Sequence, residues 1–140
     1  MPYEITHEDG LLRIRFFGNL TGESFGNLAR DMARLEQELP VTPHRIIDLR
    51  ESEGVNLNFR SILTVGQFRT MATLHNSVKS AMIAPDPILY GFARMFQMLI
   101  ANPAIIVAIF PTEESALAWL GEPGLAPPAK PWVPDGSGRA

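Results

Sequence analysis

Three histidines, His7, His44 and His75, are the side chains best suited to acid–base or metal chemistry in this 140-residue sequence. No two of them are four residues apart, and none has a partner at metal-ligand spacing. The sequence has no cysteine, which excludes disulfides, thiolate metal sites and a cysteine nucleophile. It also lacks a phosphate-binding glycine loop and a Gly-x-Ser-x-Gly turn. Because an enzyme needs a nucleophile or base with an orienting partner, we expect a non-catalytic protein without metal or cofactor.

Asp48 is the acid best placed to form a site. It lies at the end of a β-branched segment, residues 44–49, which we predict to be a buried strand. Open α/β sheets bind ligands at the carboxyl ends of their strands, and Ser52 follows in the next loop. Two interpretations are open. Asp48 pairs structurally with an arginine, or it forms an unrecognised site with Ser52 and Arg94.

A second group of candidates lies on the third predicted helix. Tyr90 and Arg94 are four residues apart and share a face, so the arginine could complete an anion site at the helix N-terminus. Asp86, the predicted N-cap, competes for that position. The third and fourth predicted helices also carry large apolar side chains, namely Phe92, Met95, Phe96 and Trp119. These side chains indicate core packing, a dimer face, or a pocket for a small hydrophobic ligand between the two helices and the sheet.

Alternating strands and helices must position these residues. Residues 3–6 and 11–17 flank an Asp-Gly turn and predict an antiparallel hairpin. Apolar residues at helical spacing then predict four helices, whose N-caps are Thr21 or Ser24, Asn56 or Asn58, Asp86, and a hydroxyl at Thr112. Gly121 is the predicted left-handed terminator of the last helix. The outer face of the first helix is assigned to Arg30, Asp31, Arg34, Glu36, Gln37 and Glu38.

The element order is β-β-α-β-α-β-α-β-α, which predicts an α/β fold with a four- to five-stranded mixed sheet flanked by helices. We expect one domain over residues 1–121. Residues 122–140, which contain five prolines, are expected to form a flexible tail in which only Trp132 could dock. A net charge of −3 argues against nucleic-acid binding. No apolar segment is long enough to span a bilayer and no signal region is present, so we expect a cytoplasmic protein.

Two segments carry a family resemblance. Residues 84–87, Ala-Pro-Asp-Pro, lead into Tyr-Gly-Phe-Ala-Arg-Met-Phe at 90–96, and residues 109–120 end in Ala-Leu-Ala-Trp-Leu. With the element order, they resemble the STAS domain of anti-sigma-factor antagonists, and specifically its SpoIIAA-like (STAS/SEC14) branch. In the antagonists, a phosphorylatable serine follows the strand end that Asp48-Leu49 matches. The usual Asp-Ser-Ser-Gly-like motif is missing here, so Ser52 and Ser61 are the remaining candidates for phosphorylation.

The resemblance implies a regulatory domain that acts by binding a protein partner or a second copy of itself as a homodimer. Its SEC14 side implies an alternative, a carrier or sensor of a small hydrophobic or lipid-like ligand. A third possibility from the residues themselves is an enzyme of unrecognised type.

Overall fold

The computed structural model describes residues 2–134 and contains seven strands and four helices. The strands are β1 (Tyr3–Glu8), β2 (Leu11–Phe16), β3 (Gly18–Thr21), β4 (His44–Asp48), β5 (Ser52–Asn56), β6 (Val78–Ile83) and β7 (Ile105–Phe110). The helices are α1 (Gly22–Glu38), α2 (Phe59–Thr70), α3 (Pro87–Leu99) and α4 (Glu113–Leu120).

Five strands form the main sheet in the order β1-β2-β4-β6-β7. The β1–β2 pair is antiparallel and the other pairs are parallel, as the strand–helix–strand connections require. The register places Ile14, Ile47, Met82 and Ile109 side by side across four strands. The predicted mixed α/β sheet is therefore confirmed.

Helices cover both faces of this sheet. One hydrophobic cluster joins α1, α2 and α3 to one face, and a smaller cluster joins α4 to the other. Successive residues of β6 alternate between them, with Met82 in the larger cluster and Ala81 and Ile83 in the smaller one. Because both faces are covered, β6 is buried along its whole length.

A second, two-stranded sheet was not predicted from the sequence. β3 and β5 pair in parallel, with Leu20 opposite Val55. The predicted element order has no strand between the hairpin and the first helix, and Ser52 was expected in a loop. Both segments are short and contain glycine, and Gly18 has a φ of +63° where the chain leaves β2. Their pairing joins segments distant in sequence, so no local turn motif indicates it.

The predicted helix starts are present. Thr21 and Ser24 form a reciprocal capping box on α1, and Asn58, Asp86 and Thr112 cap the other three helices. The prediction for Gly121 is wrong, because its φ of −81° is right-handed. The α4 C-terminus is satisfied instead by the buried Lys79 ammonium, which donates to the carbonyls of Trp119 at 2.9 Å and Glu122 at 2.8 Å.

The solvent-facing assignment of Glu36 is also wrong, because this residue is only 1% exposed. Its carboxylate lies between two guanidinium groups, those of Arg45 and Arg69. Glu36 follows Met32 by four residues, so it continues the buried stripe of α1 rather than its outer face.

The described part of the predicted tail, residues 122–134, forms no helix or strand but contacts the domain. Trp119 donates its indole N–H to the carbonyl of Ala126 at 3.1 Å. The Trp132 ring meets Tyr90 edge-on, with 5.5 Å between ring centroids. Trp132 therefore docks, and residues 135–140 lie outside the described part. Within residues 2–134, no helix has the length and apolar character needed to cross a membrane.

Candidate functional site

Asp48 is buried at the end of β4 and is held by Arg50. Its carboxylate accepts from the Arg50 backbone N–H at 3.0 Å and from Nε and Nη2 of the same residue at 2.9 and 2.7 Å. Burial acts to raise the pKa of Asp48, but the hydrogen bonds and positive charge of Arg50 outweigh it and hold the pKa below its usual range. Arg50 also lies 3.4 Å from Glu113 at the start of α4. Of the two interpretations of Asp48, the structure therefore shows the structural pairing with an arginine.

Ser52 lies in a different environment. It begins β5 and lines an open groove of about 360 Å³ between β5 and the first turn of α3, together with Val55, Ile88 and Leu89. The Ser52 hydroxyl oxygen is buried and has no hydrogen-bond partner among the described residues. Asp48 is turned toward α4, whereas Ser52 is turned toward α3, so the structure does not bring the two together.

Arg94 joins neither of them. Its side chain is exposed, and Nη1 donates to Gln97 Oε1 at 2.8 Å on the same helix. Asp86 occupies the α3 N-terminus by accepting from the Leu89 N–H at 2.9 Å. The predicted Asp48–Ser52–Arg94 site is therefore not formed, and neither is the anion site that Arg94 was to complete. Tyr90 packs against Trp132 instead.

The apolar candidates fall on two faces of the sheet. Phe92 and Phe96 of α3 pack edge-on against Phe25 of α1, with centroid separations of 5.1 and 4.9 Å. Trp119 of α4 packs against Phe110 in the opposite cluster. The prediction of a ligand pocket between the third and fourth helices is therefore wrong, because the sheet separates α3 from α4.

A small cavity lies beside the aromatic cluster of α1 and α3. It lies between α1, α2, α3 and the sheet and has a volume of about 30 Å³. That is room for one or two water-sized molecules, whereas pockets for drug-sized ligands begin near about 300 Å³. Most of its lining is apolar, with Phe25, Met32, Val65 and Phe96 among the residues.

Two arginines are the charged groups in the lining of this cavity among residues 2–134. They are Arg45 of β4 and Arg69 of α2, and both donate to Glu36 Oε2, at 2.7 and 2.5 Å. This cluster was not predicted from the sequence. Two features of the sequence could have indicated it. Glu36 continues the apolar stripe of α1, and Arg45 lies two residues before Ile47, on the same side of β4.

A set of apolar side chains remains at the surface of α2 and α3, two helices that pack together where Gly66 meets Leu99. Phe59 is 56% exposed, Met71 83%, Ile88 73% and Met98 68%. We define the α2–α3 surface as the exposed apolar residues of the two helices and of the α2 C-cap. They are Phe59, Phe68, Met71, Ile88, Met95 and Met98. Of the candidates from the sequence, only Met95 belongs to this surface.

Ser61, the second phosphorylation candidate, lies in the first turn of α2. Its backbone N–H donates to the Asn58 cap at 2.9 Å. Its hydroxyl is packed close to Gly22 at the start of α1, where an added Cβ would lie 2.7 Å from the Ser61 oxygen. The serine therefore lies between the N-terminal ends of two helices.

No family model and no curated protein matches the chain. Among solved structures, it is similar to an uncharacterised protein of the DUF3478 family with a SpoIIAA-like fold from Shewanella loihica PV-4. The TM-score is 0.54 at 17% sequence identity, over 84% of this chain and 91% of that one.

A second similar structure is the anti-sigma factor antagonist SpoIIAA in its unphosphorylated form, with a TM-score of 0.44 and 16% identity over 84% of this chain and 96% of that one. The fold assignment rests on the Shewanella protein. The five-stranded mixed sheet, with helices on both faces, and the match to that protein together show that this chain has the SpoIIAA-like fold.

Proposed function

We propose that the chain is a non-catalytic regulatory domain that binds a protein partner through the α2–α3 surface. The observation that carries this proposal is the exposure of large apolar side chains on two neighbouring helices. Met71, Ile88 and Met98 are each more than two-thirds exposed. Exposed methionine and aromatic side chains are common at interaction sites, and methionines adapt to varied partners.

The state of the acid–base candidates supports a non-catalytic role. Asp48 has its carboxylate hydrogen-bonded three times by Arg50. His44 accepts from the Lys79 backbone N–H through Nδ1, at 2.9 Å. Burial, Lys79 and Arg45 lower the pKa of His44, which favours its neutral form. Both groups serve the fold. The cytoplasmic location expected from the sequence is part of the same proposal.

The test is affinity capture with the full-length chain as bait, read by quantitative mass spectrometry. The double variant Met71→Lys, Met98→Lys places two charges on the α2–α3 surface. We expect it to lose at least about tenfold of the captured partner, since an unpaired charge in an apolar interface is costly.

Leu117→Lys is the matched control. Leu117 is an exposed apolar residue on α4, across the sheet from the α2–α3 surface. The control variant should capture the partner as the wild type does. Equal capture by the double variant, or no protein enriched by the wild type, would refute the proposed function.

The partner can also be a second copy of the chain. In that case sedimentation of the wild type shows a dimer, and the double variant is a monomer. Phosphorylation of Ser52 or Ser61 stays a prediction. It requires Ser61→Glu or Ser52→Glu to change the partner's affinity, and an unchanged affinity for both variants would remove it.

A further inference from the structure

The buried cluster of Glu36, Arg45 and Arg69 has more positive than negative charge. The three side chains are between 1% and 6% exposed, and both arginines share one carboxylate oxygen, Oε2 of Glu36. Arginine stays protonated in proteins, so the cluster has a net charge of +1. A charge buried without compensation is far more costly than a buried neutral group, so this excess requires a partner.

The unused hydrogen-bonding groups of the cluster are mainly donors. Arg45 Nε, Arg45 Nη2 and Arg69 Nη1 are buried and have no partner among residues 2–134, whereas Glu36 Oε1 is the one unused acceptor of the three side chains. The missing partner must therefore accept hydrogen bonds.

The cavity described above is next to these donors. Arg45, Arg69 and Ser80 contribute polar side chains to its lining, and within the described chain no carboxylate lines it. Glu36 is not among the residues that line the cavity, and its single negative charge is shared by the two guanidinium groups that do. Its volume of about 30 Å³ fits a very small ligand.

We propose that this cavity binds one small monovalent anion, of the size of chloride or formate, between Arg45 and Arg69. Such an anion supplies the missing negative charge and accepts the unused N–H groups. It links α2 to β4 beneath α1. The small volume excludes larger anions, and the mainly apolar lining disfavours more highly charged ones. This proposal is independent of the proposed function.

The first experiment is anomalous diffraction from crystals of the full-length protein grown in sodium bromide. We expect an anomalous peak in the cavity within hydrogen-bond distance of Arg45 and Arg69. Ordinary water density without anomalous signal at that position would overturn the proposal.

The second experiment compares melting temperatures in sodium chloride and sodium gluconate at equal sodium concentration, because gluconate is too large for the cavity. A ligand that binds only the folded state raises the melting temperature. We expect the wild type to melt about 4 °C higher in chloride than in gluconate. Arg69→Gln should lose this difference, since its cluster is neutral. Arg94→Gln, at an exposed arginine bonded to Gln97, should keep it.

The same chloride–gluconate difference in wild type and Arg69→Gln would overturn the proposal. A bromide peak without any difference in melting temperature would mean binding at crystal concentration only, and would overturn it as well. If Arg69→Gln fails to fold, the bromide experiment on the wild type still decides.

Discussion

Asp48 and Arg50 are two residues apart, and the geometry of the loop after β4 turns one onto the other. The carboxylate accepts one backbone and two side-chain hydrogen bonds from Arg50. Charge-assisted hydrogen bonds to a buried carboxylate are among the stronger polar interactions in proteins. At this residue, the placement typical of a ligand-binding acid is used to fix the loop between β4 and β5.

We predict that Asp48→Asn lowers the free energy of unfolding by about 1–3 kcal/mol at neutral pH, because an amide offers Arg50 a weaker acceptor and an unwanted donor. The folded-state pKa of Asp48 is lowered, so its stabilisation is complete above the unfolded-state pKa. It is lost as the pH falls through the lower, folded-state pKa. Urea unfolding at a series of pH values checks this: the two proteins should converge in acid.

Asp9→Asn is the control for this experiment, because Asp9 is exposed at the β1–β2 turn and asparagine tolerates its positive φ of 53°. Its stability should follow that of the wild type at every pH. Equal stability of Asp48→Asn and the wild type at neutral pH would contradict the structural role of Asp48.

Residues that act on their neighbours in sequence could be predicted, and residues that act across the fold could not. Thr21, Asn58 and Asp86 are caps because each side chain reaches an N–H three residues later. Glu36 and Arg69 are 33 residues apart, and their contact depends on how α1 and α2 pack. The sequence offers both as ordinary surface charges.

At the scale of elements, Gly66 sets the separation of α2 and α3. An added Cβ there would lie 2.9 Å from the Leu99 Cβ, closer than real Cβ contacts. Gly91 of α3 has no atom within 4 Å of an added Cβ. Alanine substitutions at the two glycines therefore distinguish the effect of helix propensity on stability from the effect of packing.

We predict that Gly91→Ala raises the free energy of unfolding by about 0.5–1 kcal/mol, because alanine loses less backbone entropy in a helix. Gly66→Ala has the same gain but must push Leu99 aside, and overpacking costs about 1–3 kcal/mol. Its net effect should be destabilising. Chemical denaturation of both variants checks this pair. A stabilised Gly66→Ala would show that the two helices separate freely.

The strands of the main sheet and the helices between them were predictable, because each has a recognisable spacing of apolar residues and recognisable boundary residues. β6 and β7 are apolar segments bounded by turns, and Asp86-Pro87 marks the start of α3. The small β3–β5 sheet was not predictable, because neither strand buries a regular alternating face.

At the scale of the whole molecule, the proline-rich segment lies beside the free edge of the sheet. β7 pairs only with β6 in the described sheet, and Gln97 already donates to the Val107 carbonyl at 2.7 Å. Pro127, Pro128, Pro131 and Trp132 line a gap of about 190 Å³ over Val107, Ala108 and Ile109. Proline lacks an N–H donor, so this segment covers the edge without extending the sheet.

We predict that Trp132→Ala releases this segment without unfolding the core, because the Tyr90–Trp132 contact is its aromatic anchor. Amide hydrogen exchange in β7 should become about tenfold faster, while exchange in β4 is unchanged. Val133→Ala is the control, since Val133 is 61% exposed. Unchanged exchange in β7 of the Trp132 variant would show that the segment does not protect that edge.

The burial of Lys79 has a practical consequence for chemical labelling. The chain has two lysines, Lys79 and Lys130. Lys79 is 1% exposed and its amine is held by two carbonyl groups, whereas Lys130 is open to solvent. In the folded protein, an amine-reactive dye therefore has a single lysine to modify. That lysine is two residues before Trp132, so the dye would report directly on whether the proline-rich segment is docked.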